Sequence, residues 1–182
     1  MNKTQLTILL HWMSALLIIS LLISGMYMTG GNSYPLYYWH KSFGVVALLL
    51  ITARLVHRHR APWTSSVQGS NNEKLIKNIH LTLLIFALAM PISGMVMSGF
   101  GGYGIPFFEW QLVSKNTTTN GEVVSINENI RSMGTVLHIY IGYTFSALLI
   151  AHMGAALWHH IVKKDNTLKR MTSLKELKEN QQ

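Results

Sequence analysis

The feature that most constrains this chain is a long stretch without charge near its N-terminus. No Asp, Glu, Lys or Arg occurs between Lys3 and Lys41. A helix needs about 20 apolar residues to cross the hydrocarbon core of a bilayer. The segment from Thr7 to Met28 satisfies that length and is too long for the apolar core of a signal peptide. We therefore predict a first membrane span at 7–28.

Three further segments of the same character predict spans at 37–56, 79–98 and 132–161. Pro91 lies in the third and is expected to kink it. The uncharged stretch around the fourth is longer than one crossing needs, so one of its ends should project beyond the lipid. Of the 182 residues, 49% are hydrophobic and 12% are charged, which is too apolar for an ordinary soluble domain. The expected fold is all-α, a single four-helix transmembrane bundle covering 1–182.

The distribution of Lys and Arg predicts the orientation of the bundle, because cytoplasmic loops carry an excess of both. With four spans, both termini share one side. That side receives most of the basic residues: Lys3, Arg54, Arg58, Arg60, Lys74, Lys77, Lys163, Lys164, Lys169, Arg170, Lys175 and Lys178. The other side keeps only Lys41, Lys115 and Arg131. We therefore predict cytoplasmic termini, an outer loop at 99–131 and a cytoplasmic tail at 165–182. The net charge of +8 then reflects lipid topology and does not indicate nucleic-acid binding.

The outer loop is the longest connection between predicted spans. It is Gly-rich at first, then aromatic, then polar. Its side chains Phe107, Phe108 and Trp110 suit the headgroup boundary on the outer side. A flexible surface loop and a substrate-gating loop are both compatible with this composition.

Histidines are the candidate functional residues. The chain has nine, and an ionisable residue inside a span is by default a functional hypothesis. His57 and His59 belong to the basic run RLVHRHR and are expected to face solvent or headgroups. His138 and His152 are fourteen residues apart on one helix, which places them about 21 Å apart along its axis and within about 40° of one direction. This spacing suits two cofactors stacked across the membrane and does not suit one shared metal ion.

Each of these two histidines has a candidate partner at the same depth on another helix. His40 opens the second span from the outer side, level with His138. His11 opens the first span from the inner side, level with His152. His80 opens the third span from the inner side and competes with His11 for the same position.

The residue one turn after each candidate histidine helps to choose between His11 and His80 as the inner ligand. A porphyrin lying against a helix needs a small residue about one turn from its ligand. Four of the five candidate ligands have one at i+4: Ala15, Gly44, Gly142 and Ala156. His80 is followed instead by Leu84, which favours His11 as the inner ligand. The chain has no cysteine, so thiolate ligation and iron–sulfur clusters are excluded. No carboxylate accompanies either pair, which disfavours zinc. The set predicts two b-type haems with bis-histidine ligation.

Several segments around these histidines resemble the bacterial cytochrome b561 family of four-helix, dihaem inner-membrane proteins. The matching segments are LLHW at His11, WHKSFG at His40, IHLTLLIFALAMPISG at His80, the helix with His138 and His152, and HHIVKKDNTLKRM from His159. The resemblance covers nearly the whole chain apart from the outer loop and the last dozen residues. It implies the axial pairs His11 with His152 and His40 with His138.

The resemblance also implies a quinone site near the inner haem. Members of the family include a superoxide oxidase, which takes electrons from superoxide outside and reduces ubiquinone in the membrane. The outer loop of this chain is longer than the simplest pattern of the family.

The charged and polar residues near each pair suggest further roles. At the outer face, Lys41 and Arg131 are expected to balance haem propionates, and their positive field is expected to attract an anion such as superoxide. At the inner face, His80, Lys77 and His159 lie where a quinone headgroup would lie, and a histidine there can donate a hydrogen bond or a proton. Ordinary interfacial anchoring is the alternative role of these three residues.

Two other function classes stay open at this point. The protein is either an oxidoreductase with quinone as acceptor or a non-enzymatic electron conduit for a separate periplasmic or dehydrogenase partner. A haem-free, His-lined proton or metal-ion transporter is a further alternative. No Asp or Glu lies within a predicted span to form the usual relay, which disfavours the transporter.

Overall fold

Four long helices form the body of the protein. The computed structural model describes residues 3–31, 34–61, 73–165 and 168–172. The helices are α1 (Lys3–Thr29), α2 (Tyr34–Arg60), α3 (Glu73–Phe100) and α4 (Glu128–Ile161). All four are long and apolar enough to cross a bilayer, which confirms the predicted all-α class of a membrane bundle. Each predicted span lies inside one of these helices. α4 has 34 residues, so it is about 51 Å long and exceeds a hydrocarbon core of about 30 Å.

The bundle has two ends that differ in what they carry. α1 and α2 run in opposite directions, because Oγ1 of Thr7 near the start of α1 lies 2.9 Å from Nε2 of His57 near the end of α2. α3 and α4 also run in opposite directions, because His80 contacts His152 near one end and Gly134 approaches Met97 near the other. We name this end, which holds the start of α1, the terminal end. The opposite end holds the connection between α3 and α4, and we name it the loop end. In the predicted orientation the terminal end is the inner side and the loop end is the outer side.

The core is apolar and draws on all four helices. Its buried cluster consists of Ile18, Ala47, Ile51, Leu84, Ala87 and Phe145. α3 and α4 approach closely at Gly134, where an added Cβ would lie 2.7 Å from the backbone nitrogen of Met97. Small residues permit such close approach between membrane helices. Pro91 lies within α3, where it cannot donate a backbone hydrogen bond to the preceding turn.

A β-hairpin occupies the first half of the predicted outer loop. Strands β1 (Ile105–Phe107) and β2 (Trp110–Val113) pair in antiparallel fashion. The sequence pattern did not predict these strands. Gly102 enables the turn that precedes them, because its φ is +77° and an added Cβ would lie 2.1 Å from the carbonyl oxygen of Val124.

The hairpin packs on the loop end of α2. The fully buried Ser42 donates a hydrogen bond to the carbonyl of Pro106 (3.4 Å) and accepts one from the backbone N–H of Phe108 (3.0 Å). The hydroxyl of Tyr38 donates to the carbonyl of Phe108. These bonds attach the hairpin to the helix that carries His40.

The chain after α4 folds back toward α1 at the terminal end. A short helix α5 (Lys169–Thr172) follows, and the indole Nε1 of Trp12 donates to the carbonyl of Met171 at 2.7 Å. The predicted cytoplasmic tail, 165–182, lies outside the described residues except for 165 and 168–172.

Candidate functional site

The loop end brings the predicted outer histidines together. The ring centroids of His40 on α2 and His138 on α4 are 6.4 Å apart, and their planes are 86° apart. With a metal–imidazole bond of about 2.0–2.1 Å and a nitrogen about 1.1 Å from the ring centroid, two imidazoles on opposite sides of one metal have centroids about 6.3 Å apart. The separation of these rings therefore fits one metal held between them.

A hydroxyl of α1 fixes the orientation of the His40 ring. Ser24 donates its O–H to the carbonyl of Leu21 (2.9 Å), and its oxygen lies 2.9 Å from Nδ1 of His40. Since that hydroxyl proton is used on the carbonyl, the oxygen accepts from the Nδ1–H of His40. Nε2 of His40 then carries a lone pair that can bind a metal.

The His138 ring is fixed in the same way from α3. Its Nδ1 lies 3.1 Å from the carbonyl oxygen of Met90 and 3.1 Å from Oγ of Ser93. A carbonyl oxygen only accepts hydrogen bonds, so Nδ1 of His138 carries the proton. Metal-binding histidines commonly use such an outer partner. Both rings of the pair are therefore in the tautomer that leaves Nε2 for a metal.

A cavity of about 380 Å³ surrounds the two rings. Its volume lies within the range of about 300–1,000 Å³ that ligand and cofactor sites occupy. The small residues Gly44 and Gly142 line it, one turn beyond His40 and His138, as the sequence predicted for a porphyrin. At Gly94, an added Cβ would lie 3.0 Å from Cε1 of His138. The mostly apolar walls and the two imidazoles fit a haem.

The two predicted propionate partners lie in different surroundings. Lys41 lines the cavity, and its Nζ lies 3.4 Å from the carbonyl oxygen of Gly104 on the hairpin side. Arg131 is not among the residues of the cavity wall. Its guanidinium forms an ion pair with Glu128 one turn earlier on α4. The structure thus brings Lys41 to the cavity and pairs Arg131 with a carboxylate of its own helix.

At the terminal end, three of the histidines lie in one neighbourhood: His11, His80 and His152. The ring centroids of His80 on α3 and His152 on α4 are 5.5 Å apart, with their planes at 81°. His11 on α1 interacts electrostatically with both. The structure therefore brings the predicted inner pair into one neighbourhood, but the ring in contact with His152 is that of His80.

The His80 and His11 rings are in different tautomers. Nδ1 of His80 lies 2.8 Å from the carbonyl oxygen of Ile76, so it carries a proton and leaves Nε2 for a metal. Nδ1 of His11 lies 2.7 Å from an N–H nitrogen of Arg54. Because a guanidinium only donates, Nδ1 of His11 accepts and the proton of the neutral ring is on Nε2.

In the sequence, Arg54 contributes only to the predicted orientation of the bundle and is not a candidate residue of either haem site. It lies inside α2 with its guanidinium partly buried, and it also donates to Oγ of Ser14 at 3.1 Å. The signal that would have found it is its spacing from His40. Fourteen residues separate the two, the same interval as between His138 and His152, so Arg54 faces the same side of its helix as His40.

The other predicted quinone residues have carboxylate partners. Nζ of Lys77 lies 2.5 Å from Glu73 on the same helix. Nδ1 of His159 lies 2.5 Å from Oδ2 of Asp165, just after α4. His159 is seven residues from His152, so it lies two turns further toward the terminal end on the same face of α4.

An apolar layer separates the two histidine groups. Phe145 is 2% exposed and lies on α4 midway between His138 and His152, seven residues from each. Phe86 of α3 packs beside it with ring centroids 6.2 Å apart. The two candidate sites are therefore distinct compartments of one bundle.

Comparison with known proteins agrees with this architecture. A family model described as prokaryotic cytochrome b561 matches residues 3–174. Cytochrome b561 homolog 1 of Escherichia coli (strain K12) is 32% identical over 177 residues, covering 93% of this chain and 95% of the relative. Cytochrome b561 homolog 2 of the same organism is 27% identical over 168 residues, covering 88% of this chain and 86% of the relative. This bacterial multi-pass membrane protein therefore belongs to the prokaryotic cytochrome b561 family, whose membership implies haem b as cofactor and electron transfer as activity.

Proposed function

We propose that the protein binds two b-type haems and transfers electrons between the periplasmic side of the bacterial inner membrane and membrane quinone. In this proposal the loop end is periplasmic and both termini are cytoplasmic, as the Lys and Arg distribution predicts. Quinone, with ubiquinone as the expected form, is the acceptor at the terminal end. Superoxide is the donor that the charges of the loop end favour.

The observation that carries the proposal is the geometry of His40 and His138. Their ring centroids lie at a separation that fits one intervening metal, and both Nδ1–H groups are bound by neighbouring helices. When both axial positions of a haem iron are filled by protein, the iron is suited to outer-sphere electron transfer and does not readily bind oxygen. We therefore assign these two residues as axial ligands of the loop-end haem.

At the terminal end we assign His11 and His152 as the axial ligands. Ala15 leaves room beside His11, whereas Leu84, one turn after His80, is 8% exposed and belongs to the apolar core. A porphyrin next to His80 would have to displace that side chain. The ring contact between His80 and His152 makes the opposite pairing the direct competitor, and substitutions separate the two.

Bound haem iron supplies reversible one-electron chemistry. The residues of the chain supply orientation, exclusion of water and protons. The layer that contains Phe145 excludes water between the two sites, because its members are apolar and buried. Reduction of a quinone to a quinol takes two electrons and two protons, so proton donors are needed only where the quinone binds.

The quinone end is assigned to His80, Lys77 and His159. His80 is exposed at the surface of the bundle, where a quinone dissolved in the lipid can reach it. His159 is oriented by Asp165, and a histidine held in this way can donate a proton. Lys77 is largely exposed at the same end, and its ammonium group forms an ion pair with Glu73.

The charges at the loop end support an anionic donor. Lys41 at the cavity wall interacts electrostatically with Lys115 of the outer loop, and two neighbouring positive charges attract small anions. Arg131 contributes less to this field, because Glu128 neutralises it. Two superoxide anions would each give up one electron and leave as oxygen, which balances the two electrons that one quinone accepts.

The first experiment counts the haems. Protein purified after expression with ample haem supply should give two b-type haems per chain in a pyridine haemochrome assay. A colourless protein would overturn the proposal and leave only the membrane topology.

Single substitutions then test the ligand pairs. His40→Ala and His138→Ala should each remove the same haem, and His11→Ala and His152→Ala should each remove the other. His80→Ala should keep both haems and slow quinone reduction. Loss of the terminal-end haem in His80→Ala, with its retention in His11→Ala, would reverse the assignment. His160→Ala, an exposed histidine of the same helix as His152, is the matched control and should change nothing.

A donor test distinguishes an enzyme from an electron conduit. Superoxide should reduce the haems of the purified protein rapidly and should yield quinol when ubiquinone is present. Lys41→Gln should slow the superoxide step and weaken its dependence on ionic strength. Failure of superoxide to reduce the haems, with reduction only after a partner protein is added, would identify a conduit subunit.

A further inference from the structure

Arg54 is a cation inside α2, a helix whose sequence contains no Asp or Glu. Its guanidinium is partly buried between α1 and α2. Among the described residues Arg54 forms no ion pair. Two carboxylates at the terminal end, Glu73 and Asp165, are paired with Lys77 and His159. An arginine in this environment is energetically costly unless it has a partner or a function.

The neighbours of Arg54 make the site positive. His11 and Ser14 of α1 contact it directly, and His80 and His152 interact with it electrostatically. Arg58, one turn further along α2, adds a second positive charge. None of these groups carries a negative charge, so the neighbourhood is complementary to an anion.

The bond from Arg54 also prevents His11 from binding a metal through Nε2. With Nδ1 accepting from the guanidinium, the neutral ring has its proton on Nε2. For His11 to act as an axial ligand, Arg54 must release Nδ1 and take another acceptor. A haem supplies such an acceptor together with its iron, because it carries two carboxylates.

We propose that Arg54 binds a carboxylate of the terminal-end haem and, before the cofactor enters, holds His11 in the form that does not bind metal. This inference rests on the proposed dihaem function. An arginine fork matches a carboxylate through two parallel hydrogen bonds, which a lysine cannot reproduce. Arg54 is thus a cofactor-binding residue of the terminal end, the role that the sequence predicts for Lys41 at the loop end.

The test compares haem b with its dimethyl ester, which has the same porphyrin but no free carboxylate. Haem-free protein would be reconstituted with each form, and the affinity of the terminal-end site would be measured by spectroscopic titration. The variants are Arg54→Gln and Arg54→Lys. The control is Arg60→Gln, which removes a charge from the exposed last residue of the same helix.

Arg54→Gln should bind haem b at the terminal end roughly tenfold more weakly than the unsubstituted protein, as expected for loss of a charge-assisted hydrogen bond. It should bind the dimethyl ester equally well or more tightly, because His11 is released. The affinity of Arg54→Lys for haem b should lie between those of Arg54→Gln and the unsubstituted protein. Arg60→Gln should bind both haem forms with the affinity of the unsubstituted protein.

Equal weakening with both haem forms would overturn the inference, because Arg54 would then act through His11 or through a lipid phosphate. No weakening with haem b would overturn it as well. Binding of haem b at the loop end by each reconstituted variant shows that the bundle is folded. If Arg54→Gln fails that check, the same comparison between the two haem forms is made with Arg54→Lys, which keeps the charge. An unsubstituted protein without a terminal-end haem would contradict the proposed function itself.

Discussion

The position of one proton on each imidazole decides which histidines can bind a metal. His40, His80 and His138 each donate through Nδ1, to a serine hydroxyl or a backbone carbonyl. His11 accepts at Nδ1 from Arg54. Except for His80, each of these histidines has its hydrogen-bond partner on another helix. The packing of the helices therefore determines which ring nitrogen carries the proton.

Removal of the hydroxyl that orients His40 should weaken the loop-end site. Ser24→Ala leaves Nδ1–H of His40 without its acceptor, and loss of such an outer partner typically reduces metal affinity by roughly 10–100-fold. Ser93→Ala should have a smaller effect, because His138 keeps the carbonyl of Met90. Competition for haem with a soluble apo-globin measures both variants. Equal losses would contradict the assigned roles of the two serines.

A methyl group added at Gly94 should reduce haem binding by crowding the ring of His138. The new Cβ would lie 3.0 Å from Cε1 of His138, and overpacking of this kind costs about 1–3 kcal/mol. Alanine otherwise favours a helix over glycine by about 1 kcal/mol. Gly154→Ala, with no heavy atom within 4 Å of the added Cβ, is the control. Haem occupancy and thermal unfolding of each variant test the expectation, and unchanged occupancy in Gly94→Ala would contradict it.

At the scale of elements, the hairpin is part of the loop-end site rather than a separate appendage. Ile105 of β1 and Lys41 of α2 both line the cavity, and Ser42, next to Lys41, attaches the hairpin to α2. The same two turns of α2 therefore carry the proposed ligand His40, the lysine and the attachment point of the hairpin. Changes in the hairpin should be transmitted to the cavity through this segment.

Loss of the Ser42 hydroxyl should loosen the hairpin. Ser42→Ala leaves the backbone N–H of Phe108 without its acceptor, which costs about 1–3 kcal/mol. Hydrogen exchange should accelerate across Ile105–Val113. Ser20→Ala is the matched control, since that hydroxyl donates to the carbonyl of Leu16 within its own helix. Unchanged exchange in Ser42→Ala would show that the apolar contacts of the hairpin hold it without this bond.

At the scale of the whole molecule, four helices hold two histidine groups at opposite ends of an apolar layer. The layer contains residues of every helix, so the distance between the two groups depends on the bundle as a unit. Which end faces the periplasm is predicted from the distribution of Lys and Arg and not from the packing, because a bundle packs identically in either orientation.

Labelling of single cysteines tests the orientation directly, because the chain has no cysteine of its own. Asn120→Cys lies in the exposed part of the outer loop, and Lys163→Cys lies just beyond α4. A membrane-impermeant maleimide added to intact spheroplasts should label the first and not the second. Lysis should make both reactive. The reverse pattern would place the termini in the periplasm.

The sequence alone determined the fold class and predicted the depth of each candidate ligand. Both follow from local properties: apolar length defines a span, and a rise of about 1.5 Å per residue converts sequence separation into depth. Spacing placed His138 and His152 on one face, and the same rule, had it been applied to α2, would have identified Arg54. The family resemblance, confirmed over residues 3–174, also depended on the sequence only.

The tertiary structure decided which side chains of different helices contact each other. It revealed that His80 contacts His152 and that Arg54 binds His11. His57, which was expected to face solvent or headgroups, is half-buried, and its Nε2 lies 2.9 Å from Oγ1 of Thr7 on α1. No periodicity encodes these contacts, because each joins side chains from different helices whose rotation and separation are set by packing of the whole bundle. The hairpin escaped prediction for a related reason: its short strands are attached to a neighbouring helix by Ser42 and Tyr38 and do not have a strong sequence pattern of their own.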